Sequence, residues 1–588
     1  MKKSESKVKK ICNCGSEINI SQLSSESSSK LVKMVAMFEH INASGHPNFR
    51  RCRIPLPSKL NVSLWRERLS KYEDKVVCEF LEYGFPIDFD RKKKLSHELG
   101  KNHKGARDYP EFVRKFIQKE CQEGRIIGPF KNNPLSVPLQ VSPINTVPKS
   151  SEDERRMIVD LSWPKGLSVN DGISKDFYMG EVIDLHYASV EEVCRMVLEI
   201  GPGAVIYKRD LRHAYRQISV DPRDFCYLGY FWEDEYFFDT TLAMGQRNAA
   251  MACSRVTKGV MYIHGEEGHK GTSYLDDLIG VSHPDYGTVA YESLGQLLED
   301  LGLMENMGKA CPPSTIQLVL GVEIDTVKGT ISVPDERLRE IIELLGEWQG
   351  KAYTKKVKLQ SLIGKLQFVT KYVRQSRVFL NRMLETLRAM KEKESIKLTQ
   401  SFQKDVRWWL LFIEKFNGVS YIPPIIWTEP DVVLSTDSSL KGCGGICHYQ
   451  YFHSSYPVWI LDQSLPIHKL EMLSVLIAIR FWGSHCTGSK VQIFCDNEPV
   501  VRVINSSKTK DEFLSTCLRE LWLVVSTYGF ELRCVHLPGV DNRVADWLSR
   551  WDMHPQYPEL FRKFMGEEAE QYVEMKVTNE MFAFSNEL

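Results

Sequence analysis

The sequence lacks any hydrophobic run long enough to span a membrane, and Met1-Lys2-Lys3 leads into serine and lysine instead of an apolar leader. It also lacks a disulfide-like framework, because its 15 cysteines stand at scattered, mostly single positions. These absences argue against a membrane partner and against a secreted, disulfide-stabilised protein. We therefore expect an intracellular location, in the cytoplasm, the nucleus or both.

The chain has no formal net charge, since 76 lysines and arginines balance 76 aspartates and glutamates. Any nucleic-acid-binding surface would therefore have to be built locally. The 588 residues, 43% of them hydrophobic, are ordinary for globular protein and predict about three or four domains. Residues 1–45 are the exception, because they are rich in serine and lysine and are expected to be disordered.

The most informative stretch runs from Thr272 to Val281 and contains the adjacent carboxylates Asp276 and Asp277 between short, β-prone flanks. This pattern predicts a hairpin with both carboxylates at its tip. Neighbouring carboxylates repel each other, and a divalent metal ion is the natural counter-charge for hard oxygen ligands. An Asp-Asp pair is also good turn chemistry, so the motif alone leaves both interpretations open.

Two short strands around residues 139–147 and 155–161 predict a second hairpin, with Lys149 in its loop and Arg155 and Arg156 on the return strand. Its cations could bind a triphosphate, since arginine offers a planar fork to phosphate oxygens. A solvated hairpin tip is the simpler interpretation of this segment taken alone.

Further elements surround the Asp-Asp hairpin. A strand from Val205 ends at Asp210 and Leu211, residues 291–301 are predicted to be helical, and residues 317–324 are predicted to form one strand. Residues 354–390 show a helical apolar face, and the basic residues on or after that helix could follow a phosphate backbone or simply face solvent.

A second set of acidic residues lies in the C-terminal third. Asp437 and Asp496 each end an apolar strand, Glu471 is early in a strongly apolar helix, and Asp546 lies in the last helix predicted there. Unpaired charge at such apolar positions is costly, which favours a shared function. Cys443 and Cys447 are better explained as small residues in a packed strand than as metal ligands.

In this order the segments resemble the fingers and palm of reverse transcriptases. The matching positions are Lys149 and Arg156, Asp210 with Tyr215, Met244-Gly245 through Ala250, Tyr274 to Asp277, Lys309, and Leu320-Gly321. Met244 stands where relatives carry Gln or Phe, and Ala250 where many carry Pro. The strings 160–173 and 359–366 further resemble the DIRS/Ngaro-type tyrosine-recombinase retrotransposons.

The later acidic set resembles the ribonuclease H fold, with Asp437, Glu471, Asp496 and Asp546 at its four motif positions. That family often has a loop histidine shortly after the glycine of the last motif. Here Val540 follows Gly539 and His536 precedes it, so the histidine is missing from that place.

The resemblance implies a multidomain α/β and α+β fold: a right-hand polymerase with fingers, palm and thumb, a connection region, and a ribonuclease H-like α/β domain. The expected boundaries are a disordered N-terminus (1–45), a helical extension (46–110), the polymerase (111–350), the connection (351–425), the ribonuclease H-like domain (426–551) and a C-terminal tail (552–588).

The implied function is RNA- and DNA-directed DNA synthesis coupled to cleavage of RNA in RNA–DNA hybrids. Each active site would use two Mg²⁺ ions, with Mn²⁺ as a substitute, about 4 Å apart. The implied metal-binding residues are Asp210, Leu211, Asp276 and Asp277 in the first site, and Asp437, Glu471, Asp496 and Asp546 in the second. Lys149, Arg156, Tyr215, Met244, Gly245 and Lys309 would contact the nucleotide, with Tyr215 excluding a 2′-hydroxyl.

The implied partners are an RNA template, a DNA primer, the hybrid and deoxynucleoside triphosphates, with a recombinase encoded elsewhere in the element. A catalytically silent or host-adopted nucleic-acid-binding protein is the main alternative. An RNA-templated RNA polymerase is a third, and Tyr215 together with the ribonuclease H-like half argues against it.

Overall fold

The computed structural model describes residues 56, 58–96, 98–149, 154–183, 187–372, 374–391, 395–415, 419–422 and 429–584. The N-terminal segment expected to be disordered, 1–45, lies outside these residues, as does the start of the expected ribonuclease H-like domain at 426. The chain divides into two compact units, Met1–Ser314 and Thr315–Leu588. Both mix helices with sheets, so the predicted mixed, multidomain fold class is confirmed.

The first unit begins with helices, after which strands and helices are interspersed along the chain. Its helices are α1 (Val62–Arg68), α2 (Val77–Tyr83), α3 (Lys104–Asp108), α4 (Pro110–Gln122), α5 (Val190–Ile200), α6 (Ala249–Glu266) and α7 (Gly287–Asp300). Its strands are β1 (Ile126–Phe130), β2 (Ile144–Pro148), β3 (Arg155–Val159), β4 (Phe177–Tyr178), β5 (Glu181–Val182), β6 (Val205–Asp210), β7 (Gly229–Trp232), β8 (Glu235–Asp239), β9 (Lys270–Tyr274), β10 (Asp277–Ser282) and β11 (Cys311–Ser314).

The central sheet of this unit has the strand order β11-β6-β10-β9, and each neighbouring pair is antiparallel. Helix α6 packs on β9, α5 on β10 and α7 on β6, so apolar helix faces cover the sheet. Local sequence explains several helix ends. Pro110 occupies the first turn of α4, Gly124 follows that helix with φ +73°, and the Ser189 hydroxyl accepts the Glu192 N–H at the start of α5.

The second unit begins with a small sheet and a set of helices. Its first strands are β12 (Ile316–Val319), β13 (Val322–Asp325), β14 (Thr330–Ser332), β15 (Tyr353–Lys355), β16 (Ser395–Lys397) and β17 (Val419–Tyr421). Its first helices are α8 (Asp335–Trp348), α9 (Lys356–Tyr372), α10 (Asn381–Ala389) and α11 (Gln400–Lys415).

The rest of this unit forms a six-stranded sheet with helices. The strands are β18 (Val432–Ser438), β19 (Gly442–Cys447), β20 (Gln450–Ser455), β21 (Lys490–Cys495), β22 (Glu531–His536) and β23 (Val573–Glu574). The helices are α12 (Val458–Leu461), α13 (Ile467–Trp482), α14 (Glu498–Ser506), α15 (Glu512–Tyr528), α16 (Arg543–Ser549) and α17 (Gln556–Met565). The strand order is β22-β21-β18-β19-β20-β23, antiparallel from β18 to β20 and parallel elsewhere.

Two sequence-based elements need correction. The single strand expected over 317–324 is a hairpin of β12 and β13, because Leu320 and Gly321 both have positive φ, 48° and 89°, and reverse the chain. Where one strand was expected over 139–147, the ladder with β3 begins only at Ile144 and continues to Pro148. The segment 552–588, expected as a C-terminal tail, carries α17 and the edge strand β23.

The apolar face expected on α9 is present, because Leu359, Leu362, Ile363, Leu366 and Val369 are all buried. The basic surface expected alongside it is incomplete. Arg382 turns inward and forms an ion pair with buried Asp405, at 3.5 Å between Nη1 and Oδ1. Arg377 is exposed. Among the described residues, no helix is both long and apolar enough to cross a membrane.

Candidate active sites

The first candidate site lies where the end of β6 is beside the start of β10. In their antiparallel register Asp277 is directly opposite Asp210, so two carboxylates project from neighbouring strand ends. Asp276 lies in the turn between β9 and β10, next to Leu275, whose φ is +54°. The Leu211 N–H donates to the Asp276 carbonyl oxygen at 3.0 Å, which ties this turn to the end of β6. The hairpin predicted from sequence is therefore present, and it brings all three carboxylates together.

Burial and mutual repulsion work against ionisation of these carboxyl groups. Burial, followed by the charges of Asp276 and Asp210, raises the pKa of Asp277 to about 6. Burial also raises the pKa of Asp276, and the charge of Asp210 adds to that effect. Such a cluster of acids is more stable with a cation among them, and its oxygen-only donor set is what Mg²⁺ prefers. The residues present therefore fit the divalent ions that the sequence resemblance implies.

Asp210 has its own partners. Its side chain accepts hydrogen bonds from Asn306 Nδ2 at 3.1 Å and from Lys309 Nζ at 3.2 Å, and its carbonyl oxygen accepts the Asn306 N–H at 2.7 Å. Lys309, expected to contact the nucleotide, thus lies at a carboxylate, with its side chain 65% exposed. Asn306 was not identified from sequence, because nothing in its surroundings marks it as anything other than a turn residue.

The cationic side chains of the β2–β3 hairpin have different surroundings. Arg155 donates from Nε to the Thr146 hydroxyl at 2.9 Å and stacks on Tyr109, with its guanidinium carbon 3.5 Å from the ring centroid, so it is held within the fold. Arg156 is exposed, and its positive charge acts to lower the pKa of Asp276. Lys149 is exposed at the loop and lies 3.4 Å from Glu154.

Tyr215 is partly buried between these groups. Burial raises its pKa to about 12, the charge of Asp276 contributes to that rise, and Arg156 acts in the opposite direction. The phenol therefore keeps its proton at neutral pH. The structure thus brings Tyr215 near both Asp276 of the hairpin turn and Arg156 of β3, although the three residues are far apart in sequence.

Met244 and Gly245 are fixed by backbone contacts to β3. The Val159 N–H donates to the Met244 carbonyl oxygen at 3.3 Å, and a Cβ on Gly245 would lie 2.4 Å from the Val159 carbonyl oxygen. Gly245 also has φ +113°, which disfavours any other residue. Asn170 Nδ2 donates to the Gly245 carbonyl oxygen at 2.8 Å. Asn170 belongs to the string 160–173 used for the family resemblance, and its bridging role was not foreseen.

The second candidate site collects four acids from four elements of the six-stranded sheet and its helices. Asp437 is on β18, Glu471 on α13, Asp496 directly after β21, and Asp546 on α16. The Ser438 N–H donates to Glu471 Oε1 at 3.2 Å, which places the helix carboxylate beside the end of β18. Ligand atoms of Glu471, Cys495 and Asp496 lie within 4.8 Å of one another.

These acids influence one another strongly. Burial raises the pKa of Asp437 to about 7, and the charges of Asp496 and Asp546 contribute to the rise. Burial, with the charges of Asp437 and Asp496, raises the pKa of Glu471 well above its usual range. Burial also raises the pKa of the Cys495 thiol well above normal, so it remains protonated and can donate to Glu471 Oε2, 3.9 Å away. The oxygen donors again fit divalent ions such as Mg²⁺.

Glycines let α16 approach the sheet closely enough to place Asp546 there. A Cβ on Gly444 would lie 2.4 Å from the Leu548 Cβ, and one on Gly442 would lie 3.0 Å from the Ser549 carbonyl oxygen. Cys443 and Cys447 are buried in the same strand, in agreement with their interpretation as packing residues.

Three further residues orient this site and were missed or undervalued in the sequence. Ser549 Oγ donates to Asp437 Oδ2 at 2.6 Å, and the spacing of three residues from Asp546 on one helix was an available signal. Asn542 Nδ2 donates to the Thr436 carbonyl oxygen at 2.9 Å and anchors the start of α16. His536 Nε2 lies 3.0 Å from the Asp496 carbonyl oxygen, and its charge acts to lower the pKa of Asp496.

No family model matches this chain, and no curated protein is similar to it in sequence. It is similar to solved structures of the foamy viral protease-reverse transcriptase. A complex with double-stranded DNA has a TM-score of 0.45 at 14% identity, covering 84% of this chain and 85% of that one. A second complex with double-stranded DNA has a TM-score of 0.44 at 12% identity, covering 88% and 96%.

A third structure, of the foamy viral enzyme with an RNA/DNA hybrid, has a TM-score of 0.43 at 13% identity and covers 87% of this chain and 64% of that one. These values are too low for the likeness to decide function, which depends on the chemistry of a site and not on a shared fold. The residues of the two acidic clusters therefore carry the functional argument.

Proposed function

We propose that the chain is an RNA-directed and DNA-directed DNA polymerase that also cleaves the RNA strand of RNA–DNA hybrids. The observation that carries this proposal is the presence of two separate carboxylate clusters, one in each compact unit. Asp210, Asp276 and Asp277 form the first, and Asp437, Glu471, Asp496 and Asp546 form the second. Both have the composition needed for divalent ions in phosphoryl transfer.

In the first site, Asp210, Asp276 and Asp277 would bind two Mg²⁺ or Mn²⁺ ions. When bound, these ions supply charge stabilisation at the transferring phosphorus and lower the pKa of the primer 3′-hydroxyl. Lys309 balances the charge of Asp210, and Asn306 orients it by a hydrogen bond. Exposed Arg156 and Lys149 on the β2–β3 hairpin would neutralise the triphosphate, because positioning and charge provide most of the rate in such reactions.

Tyr215 would select the sugar. Its ring is partly buried and its phenol is protonated at neutral pH. A rigid aromatic ring beneath the sugar leaves no room for a 2′-hydroxyl, so deoxynucleotides would be favoured. Gly245 packs against the Val159 carbonyl oxygen of β3 and accepts a hydrogen bond from Asn170, so it would fix this segment beside the nucleotide.

In the second site, the four acids would bind divalent ions that lower the pKa of a water molecule for attack on an RNA phosphodiester. Ser549 holds Asp437 in place, and the Ser438 N–H holds Glu471. RNA–DNA hybrids would be recognised through their helical geometry and 2′-hydroxyls, not through their sequence. The expected domain boundaries, and a source in a DIRS/Ngaro-like element, form part of the same proposal and have the sequence motifs as their support.

The test measures both reactions on one purified chain. Wild type should extend a DNA primer on an RNA template with deoxynucleotides and magnesium, and should cleave the RNA of a preformed hybrid. Asp277→Asn should remove extension and retain cleavage, while Asp437→Asn should do the reverse. Asp285→Asn and Asp462→Asn, at exposed acids outside the two clusters, serve as controls. A well-folded wild type that binds hybrid without either reaction would favour the catalytically silent alternative and contradict the proposal.

A further inference from the structure

A cluster of two histidines and a glutamate lies where α6 ends and β9 begins. His264 is in the last turn of α6, Glu267 directly follows the helix, and His269 directly precedes β9. One ligand atom from each of the three side chains lies within 4.8 Å of the others, and the two imidazole ring centroids are 4.6 Å apart. The proposed polymerase chemistry uses none of these residues, which precede β9, whereas Asp276 follows it.

His264 is the residue that points to a ligand. It is fully buried, and its Nδ1 atom has no hydrogen-bond partner among the residues that the structure describes. A buried polar atom without a partner costs free energy and calls for an explanation. The other ring nitrogen, Nε2, lies 2.8 Å from the hydroxyl of buried Tyr207 on β6. An imidazole that is oriented by a hydrogen bond at one nitrogen, with the other nitrogen available, has the arrangement of a metal ligand.

The backbone brings the second histidine next to His264. Gly268, with φ +90°, reverses the chain after α6, and the His269 N–H then donates to the His264 carbonyl oxygen at 3.2 Å. After this turn the two imidazole rings lie next to each other, with their planes tilted by 33°. A local sequence of only six residues therefore presents both rings on one side of the helix end.

Glu267 completes the cluster, and neighbouring helices orient it. Its Oε2 atom accepts a hydrogen bond from Ser293 Oγ on α7 at 2.9 Å, and its Oε1 atom pairs with Arg68 on α1. A carboxylate held in this way is pre-oriented, and a metal ion would share it with Arg68.

We propose that His264, Glu267 and His269 bind one divalent ion of the zinc type, with water in the fourth position. Two imidazole nitrogens and one carboxylate oxygen form a donor set that suits Zn²⁺, whereas Mg²⁺ prefers oxygen ligands throughout. The ion would fasten the end of α6 to the start of β9, the strand that leads into the Asp276-Asp277 turn. This site is independent of the proposed catalytic function and would exist whether or not the enzyme is active.

Zinc binding by the full-length chain tests the proposal. After treatment with EDTA, the wild type is titrated with Zn²⁺, and separately with Co²⁺, whose visible absorption reports a four-coordinate site containing nitrogen ligands. We expect the wild type to bind one equivalent that His269→Ala does not bind, or binds at least tenfold more weakly. His283→Ala, at an exposed histidine in the same unit, should bind as the wild type does.

Two further variants keep the test decisive where His269→Ala alters folding. Glu267→Gln should also weaken the site, and Tyr207→Phe should weaken it by roughly tenfold because it removes the group that orients His264. Zn²⁺ should raise the unfolding temperature of the wild type and have less effect on these variants. Equal Co²⁺ spectra and equal zinc stoichiometry in all variants would overturn the proposal, as would a wild type that binds no zinc. His264 and His269 would then be ordinary packing residues.

Discussion

The two acidic clusters bring similar sets of carboxylates together by different construction. In the first, three carboxylates lie on one hairpin and the adjacent strand, and strand register alone sets Asp277 opposite Asp210. In the second, four acids come from β18, α13, the end of β21 and α16, so their proximity depends on helix packing against a sheet. A cation lies at each cluster, since Lys309 Nζ is 3.2 Å from Asp210 Oδ1 and Arg550 Nε is 2.8 Å from Asp546 Oδ1. In the second cluster the neutral hydroxyl of Ser549 also holds Asp437.

The pKa values follow from this difference. Burial raises the pKa of Asp437 to about 7 and that of Asp277 to about 6. Deeper burial of Asp437, together with a larger number of neighbouring acids, makes ionisation more costly in the second cluster. From this comparison we expect a site built by packing to tolerate less change in its supporting residues than a site built by strand register.

The largest expected effect comes from blocking the close packing of α16. In Gly444→Ala the new methyl group would meet the Leu548 Cβ at 2.4 Å and push away the helix that carries Asp546. Because about 1 Å of misplacement can cost on the order of 100-fold in rate, we expect at least that loss in hybrid cleavage. Primer extension should be retained. Both rates are measured on the same preparation.

Gly346→Ala is the matched control, because a Cβ at that position of α8 meets nothing within 4 Å. Hybrid cleavage that survives Gly444→Ala would show that the second site tolerates displacement of α16 and would remove the contrast drawn between the two clusters.

The next effect concerns selectivity in the first cluster alone. Tyr215→Ala should admit ribonucleotides, with discrimination falling roughly 10- to 100-fold, because the ring that would exclude a 2′-hydroxyl is removed. Single-nucleotide incorporation with paired deoxy- and ribonucleotides measures the ratio, and Tyr286→Ala, at an exposed tyrosine, is the control. Unchanged discrimination would refute the assigned role of Tyr215. The rate of hybrid cleavage should be unchanged in both variants.

A third prediction uses the raised pKa values directly. A buried acid whose pKa is higher in the folded protein than in the unfolded chain binds more protons when folded, so stability falls as pH rises between the two values. For Asp437 this window runs from near its ordinary value up to about 7. In EDTA at pH 8, Asp437→Asn should therefore unfold at higher temperature than the wild type, with about 1–3 kcal/mol of added stability.

For Asp277→Asn the gain should be smaller, because the pKa of Asp277 reaches only about 6. Chemical denaturation in EDTA at pH 5 and pH 8 measures both variants, and the gain should shrink at pH 5. An equal gain in the two variants, or none in either, would mean that the clusters do not differ in the cost of ionisation.

The smallest effect concerns the hydrogen bond that supports Asp437. Ser549→Ala removes the donor at 2.6 Å from Oδ2, which acts to lower the pKa of this carboxyl. We expect hybrid cleavage to fall several-fold, in line with about 1 kcal/mol for one hydrogen bond, and its acidic limb to move to higher pH. The pH profile of cleavage is measured beside that of Ser454→Ala, at a serine of β20 outside the cluster. A profile that does not move would assign Ser549 a purely structural role.

The sequence assigned the acidic residues to the correct types of element, because alternation of apolar residues and turn chemistry are local signals. It predicted Asp210 at the end of β6, Asp276 and Asp277 at a hairpin tip, and Glu471 on an apolar helix, and the structure has each of them there. It failed where a turn depends on positive φ at a residue that rarely adopts it, as at Leu320 between β12 and β13. It also could not show that Arg155 is held on Tyr109 while its neighbour Arg156 is exposed, because that depends on α3 and α4 docking beside β3.

The amino-acid sequence by itself determined the inventory of acids, the order of the motifs and most of the strands that carry them. Tertiary structure alone decided which atoms meet: Asn306 at Asp210, Ser549 at Asp437, and His264 beside His269. The physical reason is the distance along the chain over which each kind of signal acts. Periodicity and caps act over a few residues, whereas these contacts depend on how distant helices and strands pack, and burial then sets the pKa values that such contacts produce.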